Sequence, residues 1–283
     1  MHSFSTVEFN LDHTLDCGQV FRWEREGDRW VGVVNGEVVR TWQDSKTMEV
    51  LVDSKNLPLT FFVDYFRLDD DLPYILSSID RDRYIHEAIE RYRGLRIIRQ
   101  EPWECLVSYM LATASSIPTI KKRISLLCRM FGVEIETGFY SFPDAGTLAN
   151  ADVSDLCECK LGFRAERIQK VAQMVSCGEL CFDELFEMEF HNARIRLMEV
   201  EGIGEKVADC VLLFSFGKLD SFPVDTHVRQ FVERNYADDE YFSGKLNSHK
   251  IGEWGRRYFG EFCGYAQEYL YYHKRVEQQR TNI

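Results

Sequence analysis

Between residues 23 and 52 apolar and polar positions alternate in short runs, the period of strands with one buried face. Phe21 and Trp23 precede a Gly27-Asp28 turn, residues 30–34 are short and β-branched, and Asn35-Gly36 separates them from 37–42. Asn-Gly supplies two residues that tolerate positive φ, so it predicts a type I′ hairpin. Residues 47–52 read as a further strand, and the stretch from about Val7 to Val52 as an antiparallel sheet. Past Pro58 the period lengthens, and helices are expected over 59–67 and 80–92. From about Leu95 the spacing is helical almost throughout. It predicts helices over 102–114, 118–131, 154–161, 165–176, 183–189, 194–200, from 205, and over 226–235, 251–259 and 264–277. Strands first and helices afterwards imply an α+β fold. An N-terminal antiparallel sheet domain is expected over 1–94 and a helical domain over 95–283, divided near Gly94.

Composition narrows this picture. A chain of 283 residues, 45% apolar with six prolines, has room for two domains with cores of their own. No apolar run reaches the length of a membrane span, and MHSFSTVEFN has neither the charged nor the apolar part of a secretion signal. An intracellular protein is expected, and the short start suits a prokaryotic one. Nine scattered cysteines agree with a reducing compartment. The net charge of −12 argues against DNA as a partner at face value. Local sign differs: Lys121, Lys122, Arg123 and Arg129 form one basic cluster, and Lys160, Arg164, Arg167 and Lys170 a second. Acid gathers at Asp69 to Asp71 and Asp238 to Glu240. A charge run is ordinarily a solvated face, so these patches support a DNA partner without establishing one. Such a chain would bind DNA modestly and with steep salt dependence.

The most informative stretch is LMEVEGIGEKVADCVLLFSFGKLDSFPVDTHV, residues 197–228. It reads as a helix, a tight turn at Gly202-Ile203-Gly204, and a second helix from near Glu205. Two glycines around one apolar residue let the backbone turn and leave amide N–H groups bare at a helix start, which suits a phosphate. Lys206 stands at the mouth of that helix, where the dipole eases access to its neutral, nucleophilic form. Asp225 precedes a third helix. On these residues alone Lys206 could equally be a phosphate contact, and Asp225 an N-cap.

The stretch resembles the helix–hairpin–helix DNA glycosylases, specifically the 8-oxoguanine DNA glycosylase/lyase branch, in which a lysine follows the hairpin glycines and an aspartate lies in a PVD motif. Those positions are Lys206 and Asp225 here. CGQVFRW, from Cys17 to Trp23, resembles the block SGQxFRW, whose glycine carbonyl accepts N7–H of 8-oxoguanine; that glycine is Gly18. GYAQEYLYY resembles GWAQxxLF, in which the glutamine reads the Watson–Crick edge and an aromatic stacks on the base. By this resemblance Gln267 and Tyr271 take those roles, and Cys210 lies on the opposite ring face. Tyr271 departs from the usual Phe, so its hydroxyl needs a partner. LGFRAERI matches LGYRA, which implies that Arg164 contacts the orphaned base and Phe163 wedges beside it. His227 matches a histidine on the lesion-strand phosphate.

One departure stands out. The tip of LVSYMLATASSI carries Ala114-Ser115-Ser116 where the family has asparagine reading the opposite cytosine. Ala114 cannot do so, and a weaker preference for cytosine is expected. Cys157, Cys159, Cys177 and Cys181 match no zinc spacing, and the four-cysteine iron–sulfur loop of the endonuclease III branch is absent, with Cys263 alone in that region. No cofactor is expected. The resemblance implies a monovalent cation at backbone carbonyls of Met198, Val200 and Ile203. It also implies a monomer acting on double-stranded DNA that contains 8-oxoguanine, through a lysine Schiff base and β-elimination. The alternatives are a monofunctional alkylbase glycosylase, which does not need Lys206, and a non-catalytic hairpin clamp, in which an acid at Asp225 would weaken binding.

Overall fold

A computed structural model describes residues 1–5, 8–242 and 246–281; Val7, where the expected sheet begins, lies outside them. Five antiparallel strands, β1 (His2–Ser5), β2 (Trp23–Glu26), β3 (Arg29–Val34), β4 (Glu37–Gln43) and β5 (Glu49–Asp53), form one sheet in the order β1-β5-β4-β3-β2. Val34 pairs with Glu37 across the Asn35-Gly36 turn, and both turn residues have positive φ, +48° and +75°. That is the backbone a type I′ turn demands. Gly32 is required for packing: a Cβ there would stand 2.5 Å from the Trp23 ring. Trp23, Trp30, Val39, Val50 and Val52 form a core with Phe62 and Phe66 on and just after α2 (Leu59–Tyr65).

Two helices break the expected order. Helix α1 (Leu11–Asp16) interrupts the stretch read as pure sheet, started by the Asn10 side chain accepting from His13 N–H at 2.9 Å. Helix α3 (Leu72–Ile79) begins directly after the acid run read as a solvated face, with Asp71 as its cap and Pro73 in its first turn. Proline fits there because the first helical N–H groups have no intrahelical partner. Helix α4 (Arg83–Arg91) follows.

The remaining elements are α5 (Pro102–Leu111), α6 (Ile117–Phe131), the small hairpin β6 (Glu134–Glu136) and β7 (Phe139–Tyr140), α7 (Ala145–Ala149), α8 (Val153–Glu158), α9 (Arg164–Ser176), α10 (Phe182–Glu187), α11 (Phe190–Met198), α12 (Glu205–Phe214), α13 (Thr226–Asn235), α14 (Ser248–Phe259), a 3-10 turn (Gly260–Phe262) and α15 (Cys263–Thr281). The hairpin β6–β7 and helix α7 were not anticipated. Helix α15 packs against α3, α4, α13 and α14, and Leu72, Ile79, Ile85, Leu106, Val211, Trp254 and Tyr269 share one apolar core. Tyr269 donates its hydroxyl to the Leu95 carbonyl at 3.0 Å, and Tyr265 to Asp70 at 2.9 Å. These bonds fix the last helix on the chain's first third.

Candidate active site

Helices α11 and α12 meet at a tight corner. Ile203 N–H donates to the Val200 carbonyl at 3.0 Å, and Gly202 has φ +95°, with any Cβ forced to within 2.8 Å of the Arg167 side chain. Gly204 differs from the expectation. Its φ is −96°, open to any residue, and a Cβ there would meet nothing within 4 Å. The turn needs one glycine, and the other leaves clear space before the helix. Gly204 caps α12 without a side chain, and the first N–H to find a helical acceptor is that of Ala208, at 3.0 Å from the Gly204 carbonyl. Among the described residues the N–H groups of Glu205, Lys206 and Val207 have no acceptor. Bare donors at a positive dipole end suit an anionic oxygen. The Met198 and Ile203 carbonyls likewise receive no donor among the described residues, whereas the Val200 carbonyl is taken by Ile203.

This corner opens on a cleft of about 800 Å³ lined from several separated stretches. Gly18 lies on one side, the loop 112–117 between α5 and α6 on a second, and Lys206 and Cys210 of α12 on a third. Asp225 with His227, and then Gln267, Glu268 and Tyr271 of α15, complete the wall. The half-buried Lys206 places Nζ 4.9 Å from the Tyr109 ring centroid and makes no hydrogen bond or ion pair among the described residues. Asp225 caps α13, accepting from Val228 N–H at 2.8 Å through Oδ1, while Oδ2 has no donor among the described residues. One carboxylate thus both holds a helix start and presents an oxygen to the cleft.

Gly18 sits in the turn after α1, not in a strand bend, with φ +108°. A Cβ would meet Arg275 Nη1 at 3.1 Å, Ile117 Cδ1 at 3.2 Å and the Tyr271 hydroxyl at 3.3 Å, so the position must stay bare. The next residue is locked. Gln19 donates through Nε2 to the Thr14 and Arg96 carbonyls (2.9 and 2.8 Å) and accepts Ile98 N–H at 2.8 Å, while its own carbonyl accepts from Gln100 and Tyr109. This buried network fixes the Gly18–Gln19 peptide, whose Gly18 carbonyl has no donor among the described residues. Gln267 is 4% exposed, and its Oε1 also lacks a partner. Burial pushes the Cys210 thiol up to about 12 despite the nearby Lys206, so it remains a neutral, apolar wall. Tyr271 meets the His227 ring edge-on at 5.7 Å, and its hydroxyl finds no protein partner among the described residues.

Phe163 and Arg164 are not in this lining. They stand behind the 113–115 loop: Arg164 donates to the Thr113 carbonyl and lies 4.2 Å over the Phe163 ring, which is 63% exposed. Burial, then Arg123 and Arg167, lower the Arg164 pKa. Ala114 at the loop tip has φ +50°, a left-handed conformation costly for alanine. The basic clusters are partly neutralised within the fold, Lys121 by the Trp23 carbonyl and Glu24, and Lys170 by Glu201 at 2.8 Å. Tyr109 and Glu268 line the cleft without having been singled out; each had looked like ordinary helix packing or surface.

A helix–hairpin–helix corner with bare amides, an unpaired lysine and an aspartate across one cleft defines a DNA-processing lyase or glycosylase architecture. Residues 107–256 match the family described as HhH-GPD superfamily base excision DNA repair protein, and residues 2–106 match the 8-oxoguanine DNA glycosylase N-terminal domain. The chain belongs to the HhH-GPD superfamily, in its 8-oxoguanine DNA glycosylase branch. It is 26% identical to the N-glycosylase/DNA lyase OGG1 of Arabidopsis thaliana, over 94% of this chain and 77% of that one. Among solved structures it is similar to MBOgg1 in complex with a low-affinity DNA ligand, at 35% identity and TM-score 0.91, covering 98% of this chain and 96% of that one. It is also similar to the Clostridium acetobutylicum 8-oxoguanine glycosylase/lyase bound to double-stranded DNA with cytosine opposite 8-oxoguanine, at 29% identity and TM-score 0.88, over 98% and 99% of the two chains.

Proposed function

We propose that this protein excises 8-oxoguanine from duplex DNA and cuts the strand at the resulting site. The observation that carries the reading is the meeting of Lys206, Asp225, Gly18 and Gln267 in one cleft, with the Gly18 carbonyl and Gln267 Oε1 both left without protein donors. Unpaired acceptors in a walled cleft call for a ligand that donates. 8-Oxoguanine carries a hydrogen on N7 where guanine has a bare acceptor, so the Gly18 carbonyl attracts the lesion and repels the normal base. Gln267 reads the Watson–Crick edge, and Tyr271 and Cys210 take the two ring faces.

Lys206 is the nucleophile. Its free amine attacks C1′ as the glycosidic bond breaks, and the free Asp225 oxygen faces the positive charge that develops on the sugar. The base leaves with the bonding electrons. Loss of a proton and ring opening convert the amine adduct to a Schiff base, and β-elimination then cuts the strand 3′ of the site. Gly202, Gly204 and the bare α12 amides hold a phosphate, with His227 beside them. Arg164 and Phe163 serve the opposite strand, and the Met198, Val200 and Ile203 carbonyls hold a monovalent cation. The protein works with the genome inside the cell; among the described residues no helix is long and apolar enough to cross a membrane.

Borohydride trapping on duplex DNA with one 8-oxoguanine tests this reading. A covalent protein–DNA band that disappears in Lys206→Gln is expected. Base release without a band would remove Lys206 from the nucleophile's role, and binding without release would leave only a clamp.

A further inference from the structure

Helix α15 carries a second buried polar side chain beside Gln267. Glu268 is 2% exposed, lines the same cleft, and its Oε1 has no partner. A carboxylate so placed is costly unless it is paired or protonated. No arginine or lysine pairs with it within 4 Å among the described residues, although the nearby cleft contains Lys206 of α12 and Arg275 of α15. The Cys17 thiol, which donates to the Thr14 carbonyl at 3.3 Å, lies beside it, and Asp225, Cys210, Tyr109 and Tyr271 are its other electrostatic neighbours.

Its place in the wall identifies the atom it serves. Along one edge of 8-oxoguanine run N7–H, then O6, then N1–H and the 2-amino group. The Gly18 carbonyl takes the first and Gln267 the last two. Glu268 follows Gln267 on α15 and neighbours Cys17, which precedes Gly18, so it shares one cleft wall with both readers. The atom left between them is O6, an acceptor, which only a donor can satisfy. We propose that Glu268, as a carboxylic acid, donates a hydrogen bond to O6 of the extruded base; this rests on the base assignment given above. The proton stays on Glu268 throughout. The bond also stabilises the negative charge that the departing base gathers, so it contributes to excision as well as to recognition.

Burial raises the acid to about 7, with Cys17, Arg275 and Lys206 acting downward and Asp225 upward. As pH rises through that value the donor becomes a carboxylate facing O6, and its contribution is lost. Glutamine keeps an N–H donor at every pH.

The test is single-turnover excision by wild type, Glu268→Gln and Glu268→Leu at saturating enzyme, near pH 6 and near pH 8.5. An analogue with hydrogen in place of O6, which also loses the N1 hydrogen and is therefore compared only as variant over wild type, and strand cleavage at a preformed abasic site are measured alongside. Glu268→Leu should lose about tenfold or more on 8-oxoguanine, the scale of one buried hydrogen bond to a polar site, but little on the O6-less analogue or the abasic site. Glu268→Gln should restore most of the rate near pH 6 and gain on wild type near pH 8.5. Equal rates for Glu268→Leu and wild type on 8-oxoguanine would overturn the proposal, as would equal losses on all three substrates, which mark a structural role. A wild type that cleaves abasic DNA yet leaves 8-oxoguanine intact would instead overturn the base assignment, and this inference with it.

Discussion

The two flanks of the cleft are built on opposite terms. The flank proposed to read the base has Gly18 bare, Gln19 holding its peptide through five hydrogen bonds to Thr14, Arg96, Ile98, Gln100 and Tyr109, and Gln267 buried on α15. The flank proposed to face the opposite strand has a 63% exposed Phe163, an Arg164 with one Nη on the Thr113 carbonyl, and Ala114 in a left-handed conformation. The first is organised before any ligand arrives; the second has few fixed donors to offer a base. On the proposed roles, discrimination is expected to be strong for the lesion and loose for its partner base.

The comparison is broken most severely at the chemistry between the flanks. Lys206→Gln should abolish trapping and strand cleavage, a loss of about 10³-fold or more in rate, measured in single-turnover assays. Asp225→Asn should lower excision by about 10²-fold or more while leaving thermal stability nearly unchanged, because asparagine caps a helix about as well as aspartate. Asp225→Ala, by contrast, should cost about 1 kcal/mol in denaturant unfolding as well, since it removes the Val228 cap.

On the base-reading flank, Gly18→Ala puts a methyl 3.1–3.3 Å from Arg275, Ile117 and the Tyr271 hydroxyl, at a φ of +108°. Backbone strain alone is about 1–2 kcal/mol, and displacement of Tyr271 should cut lesion excision further, with abasic cleavage less affected. On the other flank, Phe163→Ala should leave stability within about 0.5 kcal/mol, as exposed substitutions do. Its affinity for duplex DNA should nonetheless fall by about tenfold in a titration, the scale of one lost stacking contact.

The smallest change sharpens the comparison most. Asparagine tolerates the left-handed region, so Ala114→Asn should raise stability by up to about 1 kcal/mol and add an amide at the tip. Excision opposite each of the four bases should then shift toward cytosine. A wild type already as selective for cytosine as the Asn variant would remove the looseness argued for this flank.

Much of this was legible in the sequence, for reasons that differ by residue. Asn35-Gly36 announced its turn because few dipeptides occupy two positive-φ positions, and Gly18, Lys206, Asp225 and Gln267 were found because short blocks carried them. Helix α1 was hidden by its length of six residues, too short for a helical period to show. Helix α3 was hidden by the acids before it, which read as a solvated face until Asp71 is seen as a cap. Gly204 looked like a turn residue because φ cannot be read from a letter. Glu268 was invisible for a deeper reason: one residue from Gln267 on a helix, an acid is expected in water, and only the docking of α15 against the N-terminal turn buries it.

That docking has a consequence for the order in which the protein becomes competent during synthesis. The Gly18 carbonyl, proposed to read the lesion, precedes the proposed nucleophile Lys206 in the chain, and Gln267 and Tyr271 follow both on α15. Chains fold as they emerge, so on the proposed roles a nascent molecule would hold the nucleophile and the phosphate corner before it could read a base. On the same proposal selectivity waits for α15, whose packing on α3 and α4 brings Gln267 and Tyr271 to the cleft wall.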